Sequence, residues 1–347
     1  MVFSQYKPET MRASQAPFVS VVISNHNGYR MGILKDCLRS ILELDYPNFE
    51  VILVDNASDD GSLEFVKTSF TNKRLVLIGN KENNYSKGLN YGIERKGSYI
   101  AYFNNDIEVD KLYLKEMISF LEANQKVGLA QGKLLSYCNH SQIDSVGETM
   151  DLFGNSCSIG GGETDHAQYE ACAEMLSASG SACVIRRSVL ALVGGYDPQY
   201  HIGYEDMDLA LRVWFSGFSV MYIPKAKVYH MRGKTDLSNE VRLLCRYHFN
   251  KNRIATIIKN YDPRSMFVAL AVLLLLYILM LFVEALKDKN ALPLRIKSLF
   301  WNLKHLKRLY VMRRGTQRSM KMKFRDLRRL FLSSEIGLKA SFLGILK

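Results

Sequence analysis

Apolar runs and polar turns alternate regularly through the first hundred residues. Phe18-Val19-Ser20-Val21-Val22-Ile23 shows little in-out alternation, the pattern of a strand buried on both faces. It ends in the polar turn Ser24-Asn25-His26-Asn27-Gly28. Ile33, Leu34, Cys37, Leu38, Ile41 and Leu42 then recur at helical spacing and predict a helix from about Met31 to Leu44. Phe49 to Val54 reads as a second strand running into Asp55-Asn56-Ala57-Ser58-Asp59-Asp60-Gly61-Ser62, after which a helix opens through Leu63 and Phe65. Further strands are expected at Leu75 to Ile78 and Tyr99 to Phe103. Between them Asn80 to Asn90, carrying Lys87 and Gly88, is too polar to pack and reads as a loop. Alternating strands and helices imply an α/β fold with a mainly parallel sheet flanked by helices. Ligands of such sheets bind beyond the carboxyl ends of the strands. Ser24, Asp55 and Asp106 each follow such an end, so one crevice can collect all three.

The second half is less regular. Gly160-Gly161-Gly162 reads as a loop, Ser179 to Ile185 as a strand, and Arg186 to Val193 as a short helix ended by Gly194-Gly195. Glu205-Asp206-Met207-Asp208 opens a helix whose apolar surface comes from Leu209, Trp214 and Phe215. Phe218 to Pro224 is another strand, and Val228-Tyr229-His230 precedes a polar loop, Met231 to Ser238. Asn239 to Asn260 reads as a basic amphipathic helix. Met266 to Val283 is uncharged and mostly apolar, long enough to reach across a hydrocarbon core. A buried helix of a soluble protein is the competing reading. Both flanks are basic, so a single crossing would place the charged tail outside, against the positive-inside preference. An in-plane or re-entrant segment, or a crossing paired with Phe331 to Leu346, avoids that. Leu292 to Tyr310 alternates Lys and Arg with Leu, Phe and Trp, as interfacial helices do. Three parts follow: an extension at 1–16, a main domain at 17–262, and a membrane-associated helical tail at 263–347 whose hydrophobic segment is 266–286.

Charge sharpens this division. From Lys287 to Lys347, 17 Lys and Arg stand against 3 Asp and Glu, so the tail alone accounts for the net charge of +12. The main domain is nearly neutral, which argues against a nucleic-acid-binding core and for a tail that meets an anionic surface. The six cysteines include no C-x-x-C pair and read as reduced thiols. Met1 to Ala16 has no apolar core of a secretory signal, so the main domain is expected in the cytosol.

Several polar residues fit chemistry as well as structure. Acids in the first turn of a helix offset its dipole, which is the plain reading of Glu205, Asp206 and Asp208; the other reading is a general base at the mouth of a cleft. Asn104-Asn105-Asp106 after a strand is either an Asn-rich turn or an acid placed to bridge a divalent ion to a diphosphate. His230 suits Mn²⁺ as a neutral imidazole. Asp55 is either a turn cap helped by Ser58 or an acceptor for a nucleobase N–H or ribose hydroxyl.

In chain order, Val21-Val22-Ile23-Ser24-Asn25-His26-Asn27, Val54-Asp55-Asn56-Ala57-Ser58-Asp59-Asp60-Gly61-Ser62, Asn104-Asn105-Asp106, Gly194-Gly195-Tyr196-Asp197 and Tyr204-Glu205-Asp206-Met207-Asp208 together resemble the family 2 glycosyltransferases, in particular their rhamnosyltransferase-like branch. The resemblance covers about residues 17 to 260. It implies the GT-A fold, the Rossmann-like architecture of nucleotide-diphospho-sugar transferases. It further implies a nucleotide site at Ser24, Asn27, Asp55, Asn90 and Asn105, with Asp55 on the base. Asp106 matches the last acid of the family's metal-binding D-x-D, with Asn104 where the first Asp would stand, a departure that leaves fewer charges on the ion. His230 matches a metal-binding histidine, so Mn²⁺ or Mg²⁺ is the implied cofactor. Asp206 matches the catalytic base, and the neighbouring Glu205 an acceptor contact.

These groups suit a single displacement at an anomeric carbon, with inversion, from a nucleotide-diphosphate sugar to a hydroxyl of a glycan or lipid-linked acceptor. On this reading Asp206 is a weak base held by a helix N-terminus, and proton transfer comes late. Rhamnose as the sugar rests on the branch resemblance alone. The tail would seat the enzyme on the cytoplasmic face of a membrane, in the assembly of a surface polysaccharide. A sugar nucleotidyltransferase is the rival enzyme class, although Ser24 to Gly28 holds one glycine where a Gly-rich phosphate loop is usual. A non-catalytic nucleotide-binding membrane scaffold is the third reading.

Overall fold

The computed structural model describes residues 16–231, 239–287 and 291–332. The expected extension before Ala16, the polar loop beyond Met231 and most of the stretch Phe331 to Leu346 lie outside the described residues. The first half runs β1 (Val19–Asn25), α1 (Leu34–Leu42), β2 (Phe49–Asn56), α2 (Ser62–Ser69), β3 (Leu75–Asn80), α3 (Tyr85–Leu89), β4 (Tyr99–Asn104), β5 (Ile107–Val109), α4 (Tyr113–Ala123) and β6 (Val127–Ser136). Then follow β7 (Ile143–Ser145), β8 (Glu148–Met150), β9 (Ser156–Ser158), β10 (Ala173–Glu174), β11 (Ala182–Arg186), α5 (Arg187–Val193), α6 (Glu205–Phe215) and β12 (Ser219–His230). Four helices close the described chain: α7 (Asn239–Asn260), α8 (Pro263–Lys287), α9 (Ala291–Lys304) and α10 (Leu306–Arg318).

The main sheet has the order β10-β12-β6-β11-β4-β1-β2-β3. β3, β2, β1 and β4 are parallel, β11 enters antiparallel between β4 and β6, and β12 lies parallel to β6. It is therefore a mixed sheet with a parallel half. Strand periodicity explains the three layers. Val19, Val21 and Ile23 of β1 pack on the side of α1 and α4, while Val22 faces the opposite cluster with α6 and α7. Both faces are covered, which is why the sequence shows continuous apolar runs.

Local readings shift in three places. The polar stretch Asn80 to Asn90 holds α3, begun by Asn84, whose side chain accepts from the Lys87 N–H at 3.0 Å. Ser179 to Ser181 is a turn, and the strand begins at Ala182. Phe218 to Pro224 and Val228 to His230 belong to one strand. Pro224 is tolerated inside it because the pairing with β6 shifts register between Ile223 and Lys227.

α7 and α8 form a hairpin. The Asp262 carboxylate accepts from the N–H groups of Arg264 and Ser265, both at 3.1 Å, and Pro263 starts α8. Ala269, Leu273 and Tyr277 of α8 are buried, with Met266 and Leu270 beside them, against the core that contains α7. The opposite face is bare: Phe267 is 73% and Leu275 68% exposed. Pro263–Leu281 is the one helical stretch among the described residues with the length and composition to cross a membrane, and only 17% of it is buried, unlike a core helix.

Candidate functional site

Strand register builds the floor of the site. Ser24 sits beside Val54 of β2 and Asn104 of β4, and Asn25 beside Asp55, so polar residues that end three strands share one level. They are cross-linked. Asn25 Nδ2 donates to Asp55 Oδ1 at 2.7 Å, Asn105 Nδ2 to Asn25 Oδ1 at 2.7 Å, Asn56 Nδ2 to the Ser24 hydroxyl at 2.9 Å, and Asn80 Nδ2 to Asn56 Oδ1 at 3.0 Å. A cavity of about 730 Å³ opens above this floor. Ser24, Asn27, Asn105, Asp106, Glu205 and Asp206, all singled out in the sequence, line it.

Asp55 and Asn90 are placed differently. Asp55 is buried beneath the floor, and its carboxylate accepts from Asn25, from the Ser58 N–H at 3.0 Å and from the Ser58 hydroxyl at 2.5 Å. The Asn90 amide brackets Tyr196, donating to its carbonyl and accepting from its N–H, both at 2.8 Å. Neither side chain is among those lining the cavity, and His230 reaches it only through Asp106.

Residues 106 and 230 meet through backbone pairing. β5 runs antiparallel to the end of β12 with Ile107 opposite His230, and the Met231 N–H donates to the Asp106 carbonyl at 2.8 Å. His230 Nε2 then lies 3.3 Å from Asp106 Oδ2, while Nδ1 lies 2.8 Å from Asp144 Oδ2. A carboxylate only accepts, so each ring nitrogen donates to its acid when the ring is charged, and an ion at Nε2 would have to displace the proton that faces Asp106. Burial disfavours the charged ring, but hydrogen bonds to Asp106 and Asp144 outweigh it and raise its pKa to about 9.

The acidic helix reaches the cavity by a strained approach. His201 (φ +63°), Gly203 (φ +82°) and Tyr204 (φ +67°) all take left-handed backbone just before α6. Asp206 Oδ2 accepts from the Gly180 N–H at 2.8 Å. A Cβ at Gly180 would stand 2.6 Å from Asp206 Oδ1, so the turn approaches this closely only without a side chain. The expectation of a weakened base does not hold. Burial raises the Asp206 pKa to about 7, against the Gly180 N–H and with a small push from Glu148. Glu205 is held well above the carboxylate range, first by burial and then by the charge of Asp206. Desolvation overrides the helix dipole here because both groups are enclosed. Asp208 goes the other way: Lys259 and Arg212 overcome its burial and hold it low. It belongs with Asp197 to a buried ion network, Lys259 Nζ standing 2.9 Å from Asp208 and 3.1 Å from Asp197.

Asp106 Oδ1, Asp206 Oδ1 and Glu205 Oε2 are buried oxygens without a hydrogen-bond partner, and all three residues line the same cavity. Unsatisfied groups of this kind call for a partner, whether ordered water, an ion or a substrate. Among the described residues no three His, Cys, Asp or Glu converge on one point; Asp144 lies on the far nitrogen of His230. Asp106 and His230 still suit a divalent ion whose other ligands are phosphate oxygens and water. Tyr85, Asp144 and Gly180 were not picked out from sequence. The Tyr85 hydroxyl donates to Asn104 Oδ1 at 2.7 Å, on the floor of the cavity. A lone tyrosine within a polar stretch was a usable signal for it; Asp144, in a stretch without clear periodicity, gave none.

Residues 20–191 match glycosyl transferase family 2. The amylovoran biosynthesis glycosyltransferase AmsE of Erwinia amylovora is 26% identical over 227 residues, 64% of this chain and 79% of that protein. The O-antigen biosynthesis protein RfbC of Myxococcus xanthus is 26% identical over 224 residues, 62% of this chain and 17% of that protein. The chain spans less than half the length of the first curated relatives it matches, 24%, 17% and 42% of three of them. Among solved structures, the mannosyltransferase PcManGT of Pyrobaculum calidifontis, in complex with GDP-Man and Mn²⁺, superposes with a TM-score of 0.53 at 17% identity, over 98% of this chain and 90% of that one. That likeness establishes a GT-A-like fold. Through residues 20–191, the chain belongs to glycosyl transferase family 2.

Proposed function

We propose that this protein is an inverting glycosyltransferase that moves a sugar from a nucleotide diphosphate to an acceptor hydroxyl. The observation that carries the reading is the set of three unpartnered carboxylate oxygens, from Asp106, Glu205 and Asp206, around one cavity floored by amides and hydroxyls. Ser24, Asn27 and Asn105 would contact the nucleotide, with Asp55 fixing Asn25 and Ser58 beneath it. Asp106 and His230 would hold Mn²⁺ or Mg²⁺, which neutralises charge on a departing diphosphate when bound. Mn²⁺ in the PcManGT complex supports that choice.

Asp206 takes the proton of the acceptor hydroxyl at Oδ1, the oxygen left free by Gly180. The hydroxyl oxygen bonds to the anomeric carbon from the face opposite the diphosphate, the carbon–diphosphate bond breaks, and the configuration inverts. A pKa near 7 makes Asp206 a better base than an ordinary aspartate while leaving it substantially ionised at neutral pH. Glu205, whose carboxyl burial holds well above the usual carboxylate range, faces the acceptor beside Asp206.

The exposed apolar faces of α8 to α10, interspersed with Lys297, Lys304, Lys307 and Arg314, support seating on the cytoplasmic face of a membrane. Because Met266, Ala269, Leu270, Leu273 and Tyr277 of α8 pack on the domain along one face, we place this part of the helix in the plane of the interface. A lipid-linked or membrane-proximal glycan is the acceptor this arrangement suits.

The test is a screen of nucleotide sugars, including a rhamnose donor, with Mn²⁺ and membrane-derived acceptors. Release of nucleoside diphosphate that requires the acceptor is expected, and it should drop about 10²–10⁴-fold in Asp206→Asn. Release of pyrophosphate would instead identify a nucleotidyltransferase, and no release with any donor a scaffold.

A further inference from the structure

The cavity has two unlike linings. Ser24, Asn27, Asn56 and Asn105 present polar groups to it, whereas Val241, Leu244, Cys245 and Phe249 of α7 present apolar ones. These four recur at i, i+3, i+4 and i+8, so they form one stripe of the helix. Leu244 and Phe249 are 46% and 45% exposed, which is unusual for large apolar side chains inside a site for polar substrates.

Phe249 is also held in place. Its ring lies where a Cβ on Gly203 would be, 2.7 Å from the nearest ring carbon, and it meets Tyr204 edge-on with centroids 5.8 Å apart. It therefore packs on the turn that delivers Glu205 and Asp206, while its free face remains in the cavity. A group bonded to a hydroxyl at Asp206 has this wall next to it.

The same helix is the one on which the apolar tail is mounted. Tyr277 of α8 donates to the Asn250 carbonyl at 3.2 Å, Arg295 of α9 to Asn250 Oδ1 at 3.4 Å, and Lys297 Nζ lies 5.4 Å from the Tyr247 ring centroid. Beyond these contacts lie the exposed Leu275 and Ile278 of α8 and Phe300 and Leu303 of α9. α7 thus carries an apolar stripe on its cavity side and the apolar helices α8 and α9 on its other side, with Asn250, Arg295 and Lys297 at the junction.

We infer that the stripe Val241, Leu244, Cys245 and Phe249 binds the hydrocarbon chain of a lipid-linked acceptor next to the hydroxyl that reacts. This rests on the proposed transfer reaction and names the acceptor's lipid subsite. Three aliphatic or thiol neighbours beside Phe249 favour a chain over a sugar ring stacked on the aromatic face, since a pyranose would require polar partners on that side.

The probe is a decyl β-glucoside with a diazirine near the end of its chain, irradiated with the full-length protein in vesicles containing phosphatidylglycerol. Adducts should map to residues 241–249. Excess unlabelled decyl glucoside should lower them at least fivefold and methyl glucoside should not. Leu244→Ser and Phe249→Ser should each reduce them several-fold. Label confined to α8 and α9 overturns the proposal, as does competition by methyl glucoside equal to that of decyl, the mark of a sugar platform. The competition arms use the unaltered protein, so they decide the matter even if a variant misfolds. Labelling needs no turnover. Wall adducts without nucleoside diphosphate release would sink the transferase reading alone, and release without wall adducts would sink this one.

Discussion

Burial of Asp206 raises its pKa to about 7, and two measurable effects follow from that one environment. As the proposed base it must be ionised, so log kcat/KM should fall with a slope near one below pH 7 and level off above it. A flat profile from pH 5.5 to 8 would remove Asp206 from the role. The sign for stability is opposite. A carboxyl whose folded pKa is raised disfavours the folded state increasingly as pH climbs from the ordinary carboxylate range through about 7. Asp206→Asn should therefore raise Tm by a few degrees, roughly the effect of 1–2 kcal/mol, and by more at pH 8 than at pH 5. Acids at a helix start looked like dipole compensation in the sequence, and Asp208 is indeed a paired structural acid. Separating it from Asp206, two positions away, required knowing that Lys259 pairs with one while the other meets only the neutral Gly180 N–H.

At the scale of elements, α6 is aimed by α7. Lys259 stands between Asp197 and Asp208 in a buried network joined by Arg212 and Arg308. Lys259→Met leaves two buried carboxylates short of charge and should cost about 3–5 kcal/mol, seen as a lowered urea midpoint at unchanged m-value. An unaltered midpoint would mean the arginines alone satisfy both acids. The β1-α1-β2-α2-β3 run was legible because each step is local: apolar runs, polar turns and helical spacing repeat within a few residues. β11 inserted against the chain direction between β4 and β6 was not, because its neighbours lie about fifty to eighty residues away and no local periodicity encodes their order. The ordered motifs did announce the crevice, since turn residues at strand ends carry chemistry whatever the strand order. Asp55 and Asn90 show the limit of that reasoning: a polar residue in the right turn can serve the scaffold under the site.

For the whole molecule, the question is how it meets a surface. The outer faces of α8 and α9 expose Phe267, Leu274, Leu275, Ile278, Phe300 and Leu303. Replacing Phe267, Leu275 and Phe300 together by Ser should shift most of the protein from vesicle pellet to supernatant in sedimentation. Washing the unaltered protein with 1 M salt should leave most of it bound, because screening removes only the contribution of the basic side chains. Full release by salt would show that charge alone holds it there.

The pairing of β5 with the end of β12 has a consequence for synthesis. Until the ribosome has passed residue 230, Asp106 has no imidazole beside it, and the three-residue β5 has no strand to pair with at that edge. The parallel half, with its polar floor, can form much earlier from local contacts. A nascent or prematurely terminated polypeptide would therefore lack half of the proposed ion-holding pair, and a chain cut short of residue 230 should form the parallel half without it.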